Sequence, residues 1–357
     1  MSTREGFFSS IIQAVKTSVS SARFRLWGKR VLLGAAAIAA LFVVGFCIWL
    51  LLPMRKVPQA DLLPRSPFAF FSFNLDQESP AFAGIISKAG TGHGPVKNAL
   101  VRFLLPRVLP DSVVGVVAAD ADTGDPEILV FVSMGKLVRV LKIFGGPLNK
   151  ALFDEGRVVR ERARGHRFRA EAGSLSGESS MRPSAYTIVG NTIVIGTSLQ
   201  AVKESYDCYR GGRKLDAGGL YLNALLIQSL GERDAVMYVD NTGGKMTALI
   251  VEASEKYSFA AFPSIDALSS IEGRAELRPE ALDGSAVFYC RGPGRLEEVK
   301  SDVKFLYGAL RRVARAADLD MRGDVVIEGN SVRFDFRVPE YLGALFAPPT
   351  PEGGEKE

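Results

Sequence analysis

Six arginines lie within 13 residues of the segment 156–173, GRVVRERARGHRFRAEAG, and Glu161 is the only acidic residue among them. The arginines alternate with other residues on both sides of Gly165, which predicts a β-hairpin with one strongly basic face. They are Arg157, Arg160, Arg162, Arg164, Arg167 and Arg169. Two interpretations are open: a sheet edge that its charges protect from pairing with other chains, or an anion-binding face directed at lipid headgroups or an acidic envelope polymer.

The other reactive residue types predict no catalytic, cofactor or metal site. His93 and His166 are the only histidines, and no cysteine lies near either of them to complete a zinc site. Neither histidine has a G-x-S-x-G serine or a reactive-cysteine signature as a partner for nucleophilic catalysis. Paired carboxylates such as Glu297 and Glu298 can take part in acid–base catalysis. Any solvated helix carries such pairs, so they do not predict a catalytic site.

A Gly-Gly-Lys sequence in residues 240–247, DNTGGKMT, resembles the end of a phosphate-binding Walker loop. Met246 stands where that loop needs a magnesium-binding Ser or Thr, and Val239 stands where it needs its first glycine. The segment therefore predicts a flexible turn between a strand and a helix, and not nucleotide binding.

The elements that carry these residues follow one order twice. Each pass has a strand, a helix, two strands, a helix, a hairpin and a short helix. In the first pass these elements are predicted at 69–75, 79–86, 113–119, 128–133, 136–144, 186–196 and 199–206. In the second pass they are predicted at 235–240, 246–253, 270–277, 286–291, 295–314, 324–336 and 339–346. The sequence thus predicts an α+β fold with a pseudo-duplicated domain, in which mainly antiparallel sheets are covered on one face by helices.

The two hairpins turn on the same dipeptide. IVGNTIVI (188–195) contains Gly190 and Asn191, and IEGNSVRF (327–334) contains Gly329 and Asn330. Both residue types tolerate the positive φ that primed hairpin turns require. The predicted divisions are a first α+β unit at 68–207, a linking segment with a helix at 208–233, a second α+β unit at 234–346 and a disordered tail at 347–357.

The N-terminal part predicts a membrane anchor. Residues 31–52, VLLGAAAIAALFVVGFCIWLLL, are 22 uncharged residues, and a helix of that length crosses the roughly 30 Å hydrocarbon layer of a bilayer. The run is longer than the apolar stretch of a cleaved signal peptide. Residues 53–67 contain four prolines and predict an extended spacer between the span and the domain.

Basic residues near the ends of the span set its predicted orientation. Five lie in positions 16–30 and three in positions 53–67, so the N-terminus should be cytoplasmic and the main domain extracytoplasmic. The tail, residues 1–30, is predicted either as an amphipathic helix on the inner leaflet or as a frayed segment. Its membrane-interface residues would be Arg23, Arg25, Lys29 and Arg30.

The whole charge excess belongs to this tether. Residues 1–30 hold six basic residues and one acidic residue, and the chain from residue 53 onward holds 38 of each. A neutral main domain lacks the basic balance of a nucleic-acid-binding protein, so no nucleic-acid partner is predicted. Outside the span, Cys208 and Cys290 either pair in an oxidising compartment or remain free thiols.

The chain resembles a class of bacterial proteins in the order of its parts. A basic tail, a single span, a proline-containing spacer and a repeated strand–helix unit, the first closed by AYTIVGNTIVIGTSLQAVKESYD (185–207), resemble membrane-anchored extracytoplasmic proteins of unknown function. The likeness covers most of residues 68–346 and rests on pattern. It implies a location in the cell envelope, and it implies no activity.

The leading hypothesis is a non-enzymatic, single-pass inner-membrane protein whose domain binds an envelope protein partner or builds an envelope assembly. No cofactor is expected. The alternative is a carrier or sensor of an apolar or lipid ligand, because the chain has 22 phenylalanines and two sheets could enclose a cavity. An enzyme of unknown reaction is the third hypothesis.

Overall fold

The structure is a computed structural model that describes residues 55–64, 67–75, 82–84, 109–119, 125–134, 138–143, 146–153, 158–172, 182–211, 217–232, 235–248 and 262–341. All of these belong to one compact unit of the chain, Met54–Glu357. The predicted span at 31–52, its interface residues and the tail at 347–357 lie outside the described residues. No helix within the described ranges is long and apolar enough to cross a membrane.

Twelve strands form one continuous sheet in which every neighbouring pair is antiparallel, so an α+β fold with a mainly antiparallel sheet is confirmed. The strands are β1 (Pro67–Asn74), β2 (Pro110–Ala119), β3 (Pro126–Met134), β4 (Val158–Ala163), β5 (His166–Glu171), β6 (Ala185–Val189), β7 (Thr192–Gly196), β8 (Ala235–Asp240), β9 (Leu268–Leu277), β10 (Ala281–Cys290), β11 (Arg322–Glu328) and β12 (Ser331–Pro339). Their order across the sheet is β11-β12-β10-β9-β8-β1-β2-β3-β7-β6-β5-β4.

The two halves of the sheet have equivalent strand orders when each is followed outward from the central β1–β8 pair. One side runs β1-β2-β3-β7-β6 and the other runs β8-β9-β10-β12-β11. The Gly-Asn turns occupy equivalent places: the N–H of Met134 donates to the carbonyl of Asn191 over 2.9 Å, and the N–H of Cys290 donates to that of Asn330 over 3.0 Å. The β4–β5 hairpin has no counterpart among the described strands of the second side.

The helices lie against this sheet at three places. They are α1 (Val138–Ile143), α2 (Gly146–Leu152), α3 (Leu199–Tyr209), α4 (Ala217–Glu232) and α5 (Leu296–Ala316). Successive side chains of a strand point to opposite faces, so the sheet has a first face, defined by Val114 and Val116 of β2, and a second face, defined by Ile193 of β7 and Phe288 of β10.

Helices cover both faces of the first half of the sheet. On the first face, Val202 of α3 and Leu226 of α4 pack in one core with Val114 and Val116. On the second face, Val138 of α1 packs with Phe153, Tyr186 and Ile193. The sequence predicted sheets covered on one face, and that part of the prediction is wrong for this half, because its strands bury apolar side chains in both directions.

Tyr238 of β8 is buried on the first face with the core of the first half, whereas strands β9, β10, β11 and β12 have their core on the second face. There α5 contributes Leu296, Val299 and Val303 to a core with Phe288 and Val332. Charged side chains occupy the first face of the same strands, where Arg333 of β12 pairs with Asp335 over 2.9 Å. The outward side of α5 leaves Phe305 60% and Val313 69% exposed.

The predicted spacer is in part a component of the core. Residues 55–63 run against the first face, and Gln59–Leu62 form a 3₁₀ turn in which Leu62 is fully buried. The N–H of Val57 donates to Oδ1 of Asn191 over 2.9 Å, and the side chain of Gln59 donates to the carbonyl of Phe131 over 3.2 Å. Residues 55–63 are therefore held on the sheet and are not an extended linker.

Candidate anion-binding site

The arginine-rich segment forms a hairpin at one edge of the sheet. β4 is the edge strand, and β5 pairs with β4 on one side and with β6 on the other. Arg164 and Gly165 make the turn with φ angles of 49° and 78°, a left-handed conformation in which glycine carries no steric penalty. The hairpin agrees with the alternation of arginines in the sequence.

Four of the predicted arginines share the second face of the sheet. Arg160 of β4 stands directly opposite Arg169 of β5, and Arg162 stands directly opposite Arg167. The structure does not bring Arg164 to this face, because Arg164 lies in the turn and pairs with Asp207 of α3 over 2.8 Å. Arg157 lies outside the described residues.

The acidic residue of the hairpin does not neutralise this face. Glu161 points to the first face, where Nζ of Lys203 lies 2.6 Å from its Oε1. Within the described part of the chain, no ion pair joins Arg160, Arg162 or Arg167 to a carboxylate. Like charges directly opposite one another on a sheet oppose strand pairing. The hairpin thus carries two unfavourable cross-strand pairs side by side.

Arg169 is held by a buried tyrosine. Its Nη1 donates a hydrogen bond to the hydroxyl of Tyr186, and that hydroxyl donates in turn to Oδ1 of Asn149. The Arg169 guanidinium lies 5.5 Å from the centre of the Tyr186 ring. Burial raises the pKa of Tyr186, while the hydrogen bond and positive charge of Arg169 and the charge of Arg160 act in the opposite direction. Both arginines are therefore close enough to the phenol to influence its ionisation.

A cleft of about 380 Å³ opens between α1 and strands β5 and β6. The basic side chains that line it are Lys142, Arg160, Arg167 and Arg169, and Tyr186 and Ile188 are among its other lining residues. Lys142 is positioned by α1, and its Nζ donates to the carbonyl of Gly190 over 3.2 Å. Arg162, on the same hairpin face, does not line the cleft.

His166 lies beside this cleft and is packed into the domain. Its ring stacks on Tyr206 with centroids 4.2 Å apart, and its Nε2 lies 2.8 Å from Oγ1 of Thr187. Burial lowers the pKa of His166, and the positive charges of Lys142 and Arg210 lower it further. The imidazole is therefore neutral at neutral pH, and the positive charge of the cleft comes from lysine and arginine.

The segment DNTGGKMT makes a turn, as its sequence predicts. The side-chain amide of Asn241 donates to the carbonyls of Ile265 and Leu268 over 2.9 and 3.1 Å, and Gly244 has a φ of 71°. The N–H of Thr242 donates to Oδ1 of Asp240 over 2.9 Å. The polar groups of this segment are thus engaged in closing the turn.

Other candidate residues form no further constellation. Glu298 pairs with Arg295 over 2.7 Å, as a solvated helix residue would. Cys208 and Cys290 are free thiols, and burial raises the pKa of Cys290. In the described ranges there is no group of three or more His, Cys, Asp or Glu side chains that could hold a metal ion.

The chain is structurally similar to TP0453. Three crystal forms of that protein each align over 82% of this chain. Form III has a TM-score of 0.43 and 11% sequence identity, and the alignment covers 99% of its own length. Form IV has a TM-score of 0.41, 12% identity and 98% coverage, and form I has a TM-score of 0.40, 11% identity and 96% coverage. This likeness is too weak to carry an argument about function. No family model and no curated protein matches the sequence.

Sequence reasoning identified the arginines of the site but missed its other members. Lys142 and Tyr186 come from a helix and a strand that are separated from the hairpin along the chain, and only the fold brings them to one cleft. Tyr186 lies in the sequence AYTIVGN, which predicts a hairpin strand and gives no sign of a partner for the tyrosine.

Proposed function

We propose that this chain is a non-enzymatic, membrane-anchored component of the bacterial cell envelope whose folded unit binds an anionic surface through the arginine hairpin. The membrane anchor and the extracytoplasmic location rest on the uncharged run at 31–52 and on the basic residues before it. Lipid headgroups are the first candidate for the surface. An acidic envelope polymer or an acidic face of an envelope protein would use the same charges.

The placement of the arginines on two different strands carries this proposal. Charges that protect a sheet from edge-to-edge pairing belong on the edge strand, and Arg160 and Arg162 of β4 satisfy that requirement. Arg167 and Arg169 lie on β5, which is already paired on both sides. Edge protection does not explain these two residues, whereas an anion bound over the hairpin would offset the repulsion in both cross-strand pairs.

Binding of the full chain to captured vesicles tests the proposal. The chain, held in nanodiscs of phosphatidylcholine, is passed over vesicles of phosphatidylglycerol or phosphatidylcholine. Each basic side chain near an anionic surface contributes about 1 kcal/mol, so replacing Arg160, Arg162 and Arg167 by Ser should weaken binding to phosphatidylglycerol about a hundredfold. Binding should also weaken with added salt, because exposed charges are screened beyond about 10 Å at 0.1 M.

A matched variant controls for net charge. Two exposed arginines, Arg278 and Arg322, and the partly exposed Arg333 have intramolecular partners on the other half of the sheet. Replacing these three by Ser removes the same number of charges. Equal loss of binding in the two triple variants would reduce the effect to overall charge and sink the proposal. An acidic polymer in place of the vesicles provides the second arm.

We further infer that the scaffold behind this surface is a duplicated unit. The matching strand orders and the equivalent hydrogen bonds at Asn191 and Asn330 support this inference. The carrier alternative has less support, since the cleft near Tyr186 and the cavity between Arg274 and Asp335 are both lined by charged side chains.

A further inference from the structure

We infer that the cleft between α1 and the arginine hairpin is a binding site for an organic phosphomonoester, with the phosphate held by Arg160, Arg169 and Lys142. This inference rests on the proposed function and deepens it, because it assigns a ligand class to one part of the basic face. It adds Lys142 and Tyr186 to the arginines, and it excludes Arg162.

The charge of the cleft matches a phosphate better than a carboxylate. Four basic side chains line it, and a phosphomonoester brings between one and a half and two negative charges with three acceptor oxygens. Guanidinium groups bind such oxygens in pairs through their planar N–H donors, and lysine adds a point charge. A single carboxylate has the charge and the acceptor oxygens to pair with one guanidinium, and it would leave the repulsion among the other guanidinium groups in place.

The cleft also has room and an apolar wall for the organic part. Its volume of about 380 Å³ lies within the range of about 300 to 1,000 Å³ typical of small-molecule sites. Tyr186 and Ile188, which lie on the same face of the sheet as the arginines, contribute to the lining beside the basic residues. A phosphate with a small flat or apolar body attached would thus contact both kinds of surface.

Arg169 is positioned before a ligand arrives. A guanidinium carries five N–H donors, and the hydrogen bond to Tyr186, itself bonded to Asn149, fixes the head while leaving other donors for a ligand. Fixing the side chain beforehand reduces the entropy lost on binding. Tyr186 acts here as a positioning residue for Arg169.

Two adjacent arginines provide the matched variants. Arg160 and Arg162 lie on the same strand and the same face, and each stands opposite another arginine. Both are exposed, but only Arg160 lines the cleft. Changing either one to Ser removes one charge from the same surface, so any difference between them reports on the cleft itself.

Titration calorimetry on the full chain in a nonionic detergent tests the inference, with phenyl phosphate as the probe and phenol as its neutral control. Arg160→Ser should weaken phenyl phosphate binding about tenfold or more, since hydrogen bonds to charged groups are the strong ones. Arg162→Ser should change it by less than about twofold. Phenol should not bind comparably. Unaltered melting temperatures would show that both variants remain folded.

The outcomes separate the cleft from the wider basic face. No binding of phenyl phosphate at millimolar concentration, or equal weakening by the two variants, overturns the phosphomonoester site. If both variants then still weaken binding to phosphatidylglycerol vesicles equally, the proposed function stands without the cleft. If the wild-type chain bound neither phenyl phosphate nor phosphatidylglycerol vesicles, both the phosphomonoester site and the proposed function would be wrong.

Vesicles of two lipids identify the source of the phosphate. Phosphatidic acid presents a phosphomonoester and phosphatidylglycerol a phosphodiester. At equal charge density, a preference for phosphatidic acid that disappears in Arg160→Ser supports the site with a lipid headgroup as its ligand. Binding of phenyl phosphate without that preference supports it with a soluble phosphoester.

Discussion

Substituting alanine at the two Gly-Asn turns should have very different effects on stability. Gly190 and Gly329 have nearly the same left-handed conformation, with φ angles of 57° and 60°. Their surroundings differ. A Cβ at Gly190 would lie 2.7 Å from the carbonyl oxygen of Arg55 and would overlap the side chain of Val57, whereas a Cβ at Gly329 would have no atom within 4 Å.

The structure gives the size of each effect. Alanine in a left-handed conformation costs about 1 to 2 kcal/mol, and this is the whole expected loss for Gly329→Ala. Gly190→Ala must also displace the segment at residue 57, where the Val57 N–H bonds Asn191 and the side chain is 4% exposed. Losing part of that burial and leaving a buried donor unsatisfied brings the expected loss to about 4 kcal/mol.

Urea unfolding of the full chain in detergent, followed by circular dichroism, measures both values. A double-mutant cycle identifies the cause: Val57→Ala should be strongly non-additive with Gly190→Ala and additive with Gly329→Ala. Equal losses for the two glycine variants would refute the packing of residues 55–63 against the turn. Additivity in both cycles would show that Val57 is not the source of the clash.

Three further predictions concern the domain. The pKa of His166 in the folded state is lower than the ordinary value of 6.5, so the unfolded chain binds the proton at a higher pH than the folded chain does. The free energy of unfolding should therefore fall as pH drops below about 6.5, and His166→Asn should flatten that slope in urea titrations. Phe131→Ala should cost about 3 to 5 kcal/mol because the ring is fully buried, and Phe305→Ala, at a 60% exposed position, should stay within about 0.5 kcal/mol of wild type. Asn241→Ala should cost about 2 to 4 kcal/mol, since it leaves the carbonyls of Ile265 and Leu268 without its amide, and a loss below about 1 kcal/mol in the same assay would contradict that role.

Local signals predicted the elements of this fold well. The helix expected at 295–314 is Leu296–Ala316, and the strand expected at 128–133 is Pro126–Met134. The helix has a strong apolar period and the strand is a continuous apolar run, ILVFV. The Gly-Asn turns fix the hairpins through a backbone conformation that few residues adopt. These features depend on neighbours in sequence, so the sequence alone was enough to find them.

Contacts between distant segments could not be predicted in the same way. Pairing of β1 with β8 joins the two halves into one sheet, yet their sequences AFFSF and AVMYV carry no mark of each other. The prolines at 53–67 indicated a spacer, while the apolar residues among them, Val57, Leu62 and Leu63, fill the core. The hairpin's basic face followed from alternation, but the cleft beneath it depends on α1 and on Tyr186, which tertiary packing alone places there.

The asymmetry of the sheet agrees with the binding role proposed for the β4–β5 hairpin. The scaffold on each side of the β1–β8 pair has the same five-strand order, and the β4–β5 hairpin extends only one of them. The proposed duplication would give both halves a stable core, whereas function belongs to sites placed on a fold. The added hairpin places four arginines on one face in two repulsive pairs, an arrangement that works against its own stability. Departures from local sequence–structure rules, such as like charges placed opposite each other, occur most often at functional sites. Here the repulsive pairs lie in the one segment that the second half lacks among its described strands.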